Sequence, residues 1–180
     1  MKRFAIYGGS FDPPHLCHKK AVLKFLDKFE VEKIFVVPTF VSPFKDSFCA
    51  PPIIRYEWLK KMFANEPKIE VSDIEIKKQR AVYTIETVKE LIGDKREYGK
   101  IYLIMGHDNA LDFHKWNSYK ELISLVEPVV IDRNGERIDG FEFLEFDCPF
   151  SSSTFRERPD KMMICEEIRE EVMSFYRGKI

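Results

Sequence analysis

The chain has 180 residues, of which 44% are hydrophobic, 33% charged and 14% aromatic, without a low-complexity tract. That is the composition of a globular chain long enough for a substantial core. Lys plus Arg number 29 against 30 Asp plus Glu, a formal charge of −1, so a nucleic-acid partner is not expected and any anion site has to be local.

The first apolar run, Phe4–Tyr7, reads as a strand and passes through Gly8-Gly9 into a helical pattern over His15–Phe29. A strand is expected at Ile34–Val37, then an irregular stretch from Pro38 to Pro52 that holds four prolines. A loop of that length inside a compact domain is more often functional than idle. Helical patterns near Ile53–Phe63, Thr84–Leu91, Tyr119–Val126 and Cys165–Phe175 alternate with strands at Ile69–Val71, Ile101–Met105 and Val129–Ile131, with a weaker one around Phe143–Phe146. Alternating strands and helices predict an α/β chain with a parallel sheet covered on both faces. Ile34–Val37 and Ile101–Met105 are continuously apolar, as buried parallel strands are. Nothing divides the chain, so residues 1–180 are expected as a single domain. No apolar stretch is long enough for a signal peptide or membrane span, which makes the cytoplasm the expected compartment and a membrane partner unexpected. Cys17, Cys49, Cys148 and Cys165 are widely spaced without a C-x-x-C pair, and in such a chain they read as reduced thiols.

In open α/β sheets ligands bind beyond the carboxyl ends of the strands. The segments Gly8–His18, Thr39–Lys45, Gly106–Asp108 and Arg133–Asn134 should therefore gather on one edge. Within the first, Gly8 and Gly9 let backbone pass close to a phosphate, and the following helix start offers unpaired N–H groups to an anion. At about 100° per residue, His15 and His18 share the helix stripe of Val22, Phe25, Leu26 and Phe29, with Cys17 pointing roughly the other way. That direction, and the lack of a second ligand cluster, argue against a metal held by His15, Cys17 and His18; no protein-held metal is expected. Ser151 or Ser152 can cap a short helix, and Arg156 is a permanent bidentate phosphate donor. Trp116 suits either a core anchor or a stacking surface.

Gly8-Gly9-Ser10-Phe11-Asp12-Pro13-Pro14-His15 with His18, together with Ser151-Ser152-Ser153-Thr154-Phe155-Arg156, resembles the H-x-x-H nucleotidyltransferase superfamily. Within it the chain is most similar to the bacterial nicotinate-mononucleotide adenylyltransferases, along nearly its whole length. Gly106-His107-Asp108, Trp116, Pro43-Phe44-Lys45 and Tyr83-Thr84 match further family elements. The resemblance implies a Rossmann-like, doubly wound nucleotidyltransferase fold, with the helical segment from about residue 151 completing an ATP site. It implies transfer of AMP from ATP, carried with Mg2+, to nicotinate mononucleotide, giving nicotinate adenine dinucleotide and pyrophosphate. His15, His18 and Arg156 are then the catalytic residues. Gly8, Gly9, Ser10, Phe11, Gly106, Asp108, Ser151 and Ser152 fall to ATP, and Lys45, Thr84, Trp116 and Arg133 to the mononucleotide. A homo-oligomer is compatible with this reading.

Three substitutions depart from the family pattern: Cys17 stands at the glycine of His-x-Gly-His, Ser153 at a threonine and Phe155 at an isoleucine. The alternatives are an adenylyltransferase for nicotinamide mononucleotide or phosphopantetheine, and a non-catalytic nucleotide-binding protein disabled by Cys17. A class I aminoacyl-tRNA synthetase shares the histidine logic, but 180 near-neutral residues leave little room for a tRNA.

Overall fold

A computed structural model of the chain describes residues 3–41, 49–93, 101–132 and 137–178. Six strands, β1 (Phe4–Gly9), β2 (Lys33–Pro38), β3 (Ile69–Val71), β4 (Ile101–Gly106), β5 (Val126–Asp132) and β6 (Glu142–Glu145), form one sheet in the order β3-β2-β1-β4-β5-β6. Every neighbouring pair is parallel. The chain builds outward from β1 to β3, then returns to place β4 on the other side of β1. This reversal opens a crevice beyond the carboxyl ends of β1 and β4, where open α/β sheets take their ligands. The doubly wound sheet expected from the sequence is the sheet observed.

Period-two alternation divides the strands between two cores. Ala5 and Tyr7 of β1 and Tyr102 and Ile104 of β4 enter one core, under α1 (Leu16–Lys28), α2 (Pro52–Met62) and α8 (Arg169–Arg177). Ile6, Leu103 and Met105 enter the other, with α4 (Thr84–Ile92) and α6 (Tyr119–Leu125). Covering both faces explains why β4 reads as an unbroken apolar run.

The helix boundaries follow local chemistry. Helix α1 starts after His15, whose backbone is extended, and stops at Phe29, which is extended again. Pro51 and Pro52 open α2, where a missing N–H costs nothing. Helix α4 is capped by Glu86, which accepts the Tyr83 N–H at 3.0 Å and pairs with Arg80. The Arg80 guanidinium, with that N–H, holds the Glu86 carboxyl down at about 2. Gly93, at φ +55°, ends the helix in a conformation that favours glycine.

Several expectations are corrected. Strand β5 begins at Val126, which pairs with Ile101 and is buried, so the preceding helix ends one residue sooner than its periodicity suggests. The expected helix over Cys165–Phe175 is a 3₁₀ turn at Glu166–Ile168 followed by α8. Helices α3 (Ile74–Lys78), α5 (His107–Leu111) and α7 (Ser152–Glu157) occupy only five or six residues each. Such lengths give no periodicity to read; of the three, only α7 was foreseen, from its serine caps.

The cysteines are not all reduced thiols. Cys17, in the first turn of α1, is bonded to Cys148, between β6 and α7, with a Cα–Cα separation of 5.7 Å. Cys49 and Cys165 are not disulfide-bonded. Spacing could not reveal a pairing made across 131 residues by two segments on the same sheet edge. A step of one residue also turns a helix by only about 100°. Cys17 therefore lies at the edge of the arc buried with Ala21, Val22 and Phe25, rather than on the far side of α1.

Closing so long a loop constrains the unfolded chain. Cys148→Ser is expected to lower stability by about 2–4 kcal/mol in urea melts without reductant. Dithiothreitol should lower the parent protein similarly and leave the variant unchanged.

Candidate active site

The turn after β1 is shaped by Gly9 and Phe11. A Cβ on Gly9 would stand 3.0 Å from Phe11 Cζ, so only glycine lets that ring close over the turn. Phe11 itself has φ 49° and is buried. Its ring meets Tyr7 edge-on at 5.4 Å and His18 edge-on at 4.9 Å. His18 thus has a fixed aromatic wall on one side. On the other, the His15 ring stacks on it at 3.7 Å with 28° between planes.

The spacing of the two histidines has a backbone reason. His15 is the N-cap of α1 and His18 occupies the third helical position, where a side chain can reach back to the cap. The His15 N–H donates to His18 Nδ1 at 3.1 Å. Accepting there places the ring proton on Nε2, which makes the outward nitrogen of His18 a hydrogen-bond donor. His15 lies ahead of the helix, not on its stripe as the wheel reading had it. The rings still come together, because the cap residue folds back over the first turn.

Asp12 is almost fully buried, at 3% exposure. Its Oδ1 accepts from the Ala50 N–H at 2.9 Å and the Tyr176 hydroxyl at 2.7 Å, and its Oδ2 accepts from the Cys49 N–H at 2.8 Å. Burial, then the bond to Asp12, pushes the Tyr176 phenol far above its ordinary value, so it stays a donor at any working pH. Arg156 Nη1 donates to the Asp12 carbonyl at 2.6 Å and stands 4.0 Å from Oδ2.

Ser152 Oγ donates to the Pro13 carbonyl at 2.9 Å, and Ser151 caps α7 by accepting the Thr154 N–H at 3.0 Å. The two sequence motifs, 139 residues apart at that contact, are therefore one structure. The expectation that Ser151 or Ser152 caps the helix resolves into both roles: Ser151 caps, and Ser152 ties the helix to the turn.

Arg55 is fully buried and was not foreseen. It donates to the carbonyls of Ser10 at 2.5 Å, Thr39 at 2.8 Å, Phe40 at 3.2 Å and Ala50 at 3.0 Å. Desolvation pushes its guanidinium down to about 10, against the opposing pull of the Asp12 charge. It stays cationic at neutral pH and clamps the ends of β1 and β2 together.

A cavity of about 240 Å³ opens beside this assembly, at the β1/β4 crevice. Gly8, Gly9, Ser10, Thr84 and Trp116 are among the residues that line it. Trp116 is half-buried and held edge-on against Phe113 at 5.1 Å. Gly106 caps α5 and Asp108 lies exposed in its first turn, on the same edge. From α5 the cavity receives Asn109, however, not Asp108. Lys45 and Arg133 lie outside the described residues. Sequence reading missed Glu75, Thr87 and Asn117, which also face the cavity. Glu75 sits between Ile74 and Ile76 in a helix too short to show a face, so no pattern announced it.

A glycine turn and paired histidines at a parallel-sheet switch point, with an arginine from the C-terminal segment bonded to the same turn, suit the alignment of two anions. Residues 6–158 match the cytidylyltransferase-like family, and the chain belongs to it. A "Probable nicotinate-nucleotide adenylyltransferase" from Sulfurimonas denitrificans is 42% identical over 98% of this chain and 96% of its own. Another of that name from Aliarcobacter butzleri is 39% identical over 98% of both. Within the wider class, then, this chain is a member of the nicotinate-nucleotide adenylyltransferase family. The fold matches Plasmodium falciparum nicotinic acid mononucleotide adenylyltransferase in complex with NaAD, at TM-score 0.72 and 22% identity, covering 99% of this chain and 96% of that one.

Replacing Arg55 by Met would leave four carbonyls without their donor and Asp12 with Arg156 as its remaining cationic neighbour. A loss of about 3 kcal/mol or more is expected in urea unfolding. A loss below about 1 kcal/mol would refute the clamp.

Proposed function

We propose that the chain transfers the adenylyl group of ATP to nicotinate mononucleotide, releasing pyrophosphate. The observation that carries this reading is the joining of Ser152 and Arg156 to Pro13 and Asp12, beside the stacked His15 and His18. It gathers Ser152, Arg156 and the two histidines at the turn after β1, whose Gly8, Gly9 and Ser10 line a cavity that Thr84 and Trp116 also line.

The attacking group is a phosphate whose second pKa is about 6, so it is largely ionised near neutrality and needs no general base. The protein's task is alignment, and absorption of the charge that develops on the departing pyrophosphate. His18, donating through Nε2, and His15 approach from the helix start; Arg156 approaches from α7. Backbone N–H groups of Gly8 to Phe11, with Ser151 and Ser152, line the same path. Gly106 and Asp108, at the start of α5, are assigned to ATP by family resemblance. Magnesium enters with ATP as part of the substrate complex.

On the mononucleotide side, the Trp116 indole offers a stacking face for the pyridine ring, and the start of α4 at Thr84 offers backbone N–H to its substituent. Lys45 and Arg133 are assigned to the mononucleotide by family resemblance alone. Among the described residues no helix is long and apolar enough to cross a membrane.

The test is pyrophosphate release from magnesium-ATP with nicotinate mononucleotide, nicotinamide mononucleotide and phosphopantetheine in parallel. Preference for a pyridine mononucleotide over phosphopantetheine is expected, with the nicotinate compound leading at neutral pH. Silence on all three with ATP still bound would contradict the reading and favour a non-catalytic nucleotide-binding protein. His18→Ala should lower kcat by about a hundredfold or more, with a smaller change in KM. Trp116→Ala should chiefly raise the mononucleotide KM. Equal binding losses in both variants with unchanged turnover would refute this division.

A further inference from the structure

The cavity wall contains a carboxyl group that the reaction described above does not use. Glu75 is 6% exposed and faces the same cavity as Thr84 and Trp116. Its Oε1 accepts the Thr87 hydroxyl at 2.7 Å; among the described residues no donor is bonded to Oε2. We propose that Glu75 selects between acid and amide on the pyridine ring, donating to a carboxylate when protonated and accepting from an amide when ionised. The proposal rests on the mononucleotide reading of this cavity.

The chemistry is that of a carboxyl group with two hydrogen-bonding states. A protonated carboxyl has an O–H to donate, and an ionised one can only accept. A ligand carboxylate fits the first state and is repelled by the second. A carboxamide, with N–H groups to give, fits the second. Thr87 serves either state, because its hydroxyl remains a donor to Oε1.

The surroundings place the change of state in the working pH range. Burial pushes the Glu75 carboxyl up to about 7, against the opposing Thr87 hydrogen bond. On its own helix, Lys78 is drawn off into an ion pair with Glu90 of α4 at 2.6 Å. On α4, Glu86 is occupied by Arg80 and the Tyr83 N–H. Across the cavity stand Thr39, Asn109, Asn117 and Trp116, none of them ionisable. The Lys78 charge still favours the ionised form of Glu75 and the Glu86 charge disfavours it, and burial outweighs both.

The experiment measures kcat/KM for nicotinate and nicotinamide mononucleotides between about pH 6 and about pH 8.5 and takes their ratio. Titration of the shared phosphate and of ATP cancels in that ratio. In the parent protein the acid-to-amide ratio should fall roughly tenfold or more as pH rises through the range. Glu75→Gln should give a ratio independent of pH. Thr87→Val, which removes the hydrogen bond that favours ionisation, should move the midpoint to higher pH. A flat ratio in the parent protein, or a fall that persists in Glu75→Gln, would overturn the proposal. A purely structural Glu75 would change overall activity without changing the pH profile of the ratio. No turnover of either mononucleotide would overturn the functional reading, and this proposal with it.

Discussion

The Asp12 carboxylate is the tie on which the site depends. A buried carboxylate is tolerable only when donors surround it. Here these come from the segment entering α2, through Cys49 and Ala50, and from α8, through Tyr176. Arg156 is drawn to the same residue by the carbonyl and the carboxylate together. One residue in the turn after β1 thus fixes the start of α2, the last helix and Arg156. Arg55 does the complementary work from the cationic side, gathering carbonyls from the ends of β1 and β2. The two buried charges make the turn a rigid part of the core rather than a surface loop.

That rigidity explains how a small set of donors can be aimed. His18 is walled by Phe11, stacked by His15 and oriented through Nδ1 by a backbone N–H. Little reorganisation remains when charge builds on a departing phosphate, which is the condition under which such donors contribute most. The Cys17–Cys148 bond runs between the same two segments that Ser152 and Pro13 join. In this chain a covalent link occupies the place of a motif glycine. The side chain is turned into the core.

Much of this was legible in the sequence, because it depends on residues close together in the chain. The six strands follow from apolar runs, and the H-x-x-H spacing is also the spacing of a helix cap and its third residue. Trp116 and Thr84, read together from the sequence, both line the cavity. What escaped depends on side chains that meet across the fold. Arg55 lies in a helix of mixed apolar and charged residues, where an arginine ordinarily faces water. Glu75 lies on a five-residue helix without a readable face. Cys17 and Cys148 are distant in sequence and adjacent only because β1 and β6 deliver their following segments to one edge. Asp12 stood inside a recognised motif, yet its partners come from residues 49, 50, 156 and 176.

The most direct test of the Asp12 tie is calorimetric titration of a non-hydrolysable magnesium-ATP analogue into the parent protein and Asp12→Asn, under conditions where both are shown folded by circular dichroism. Asparagine keeps the volume but loses the charge and one acceptor oxygen. The account predicts that the analogue binds at least about tenfold more weakly, as loss of a charged, buried hydrogen-bond hub should cost about 1.4 kcal/mol or more at the site it positions. Unchanged affinity in the folded variant would show that the anion site is held together without Asp12, and would contradict the account at its centre.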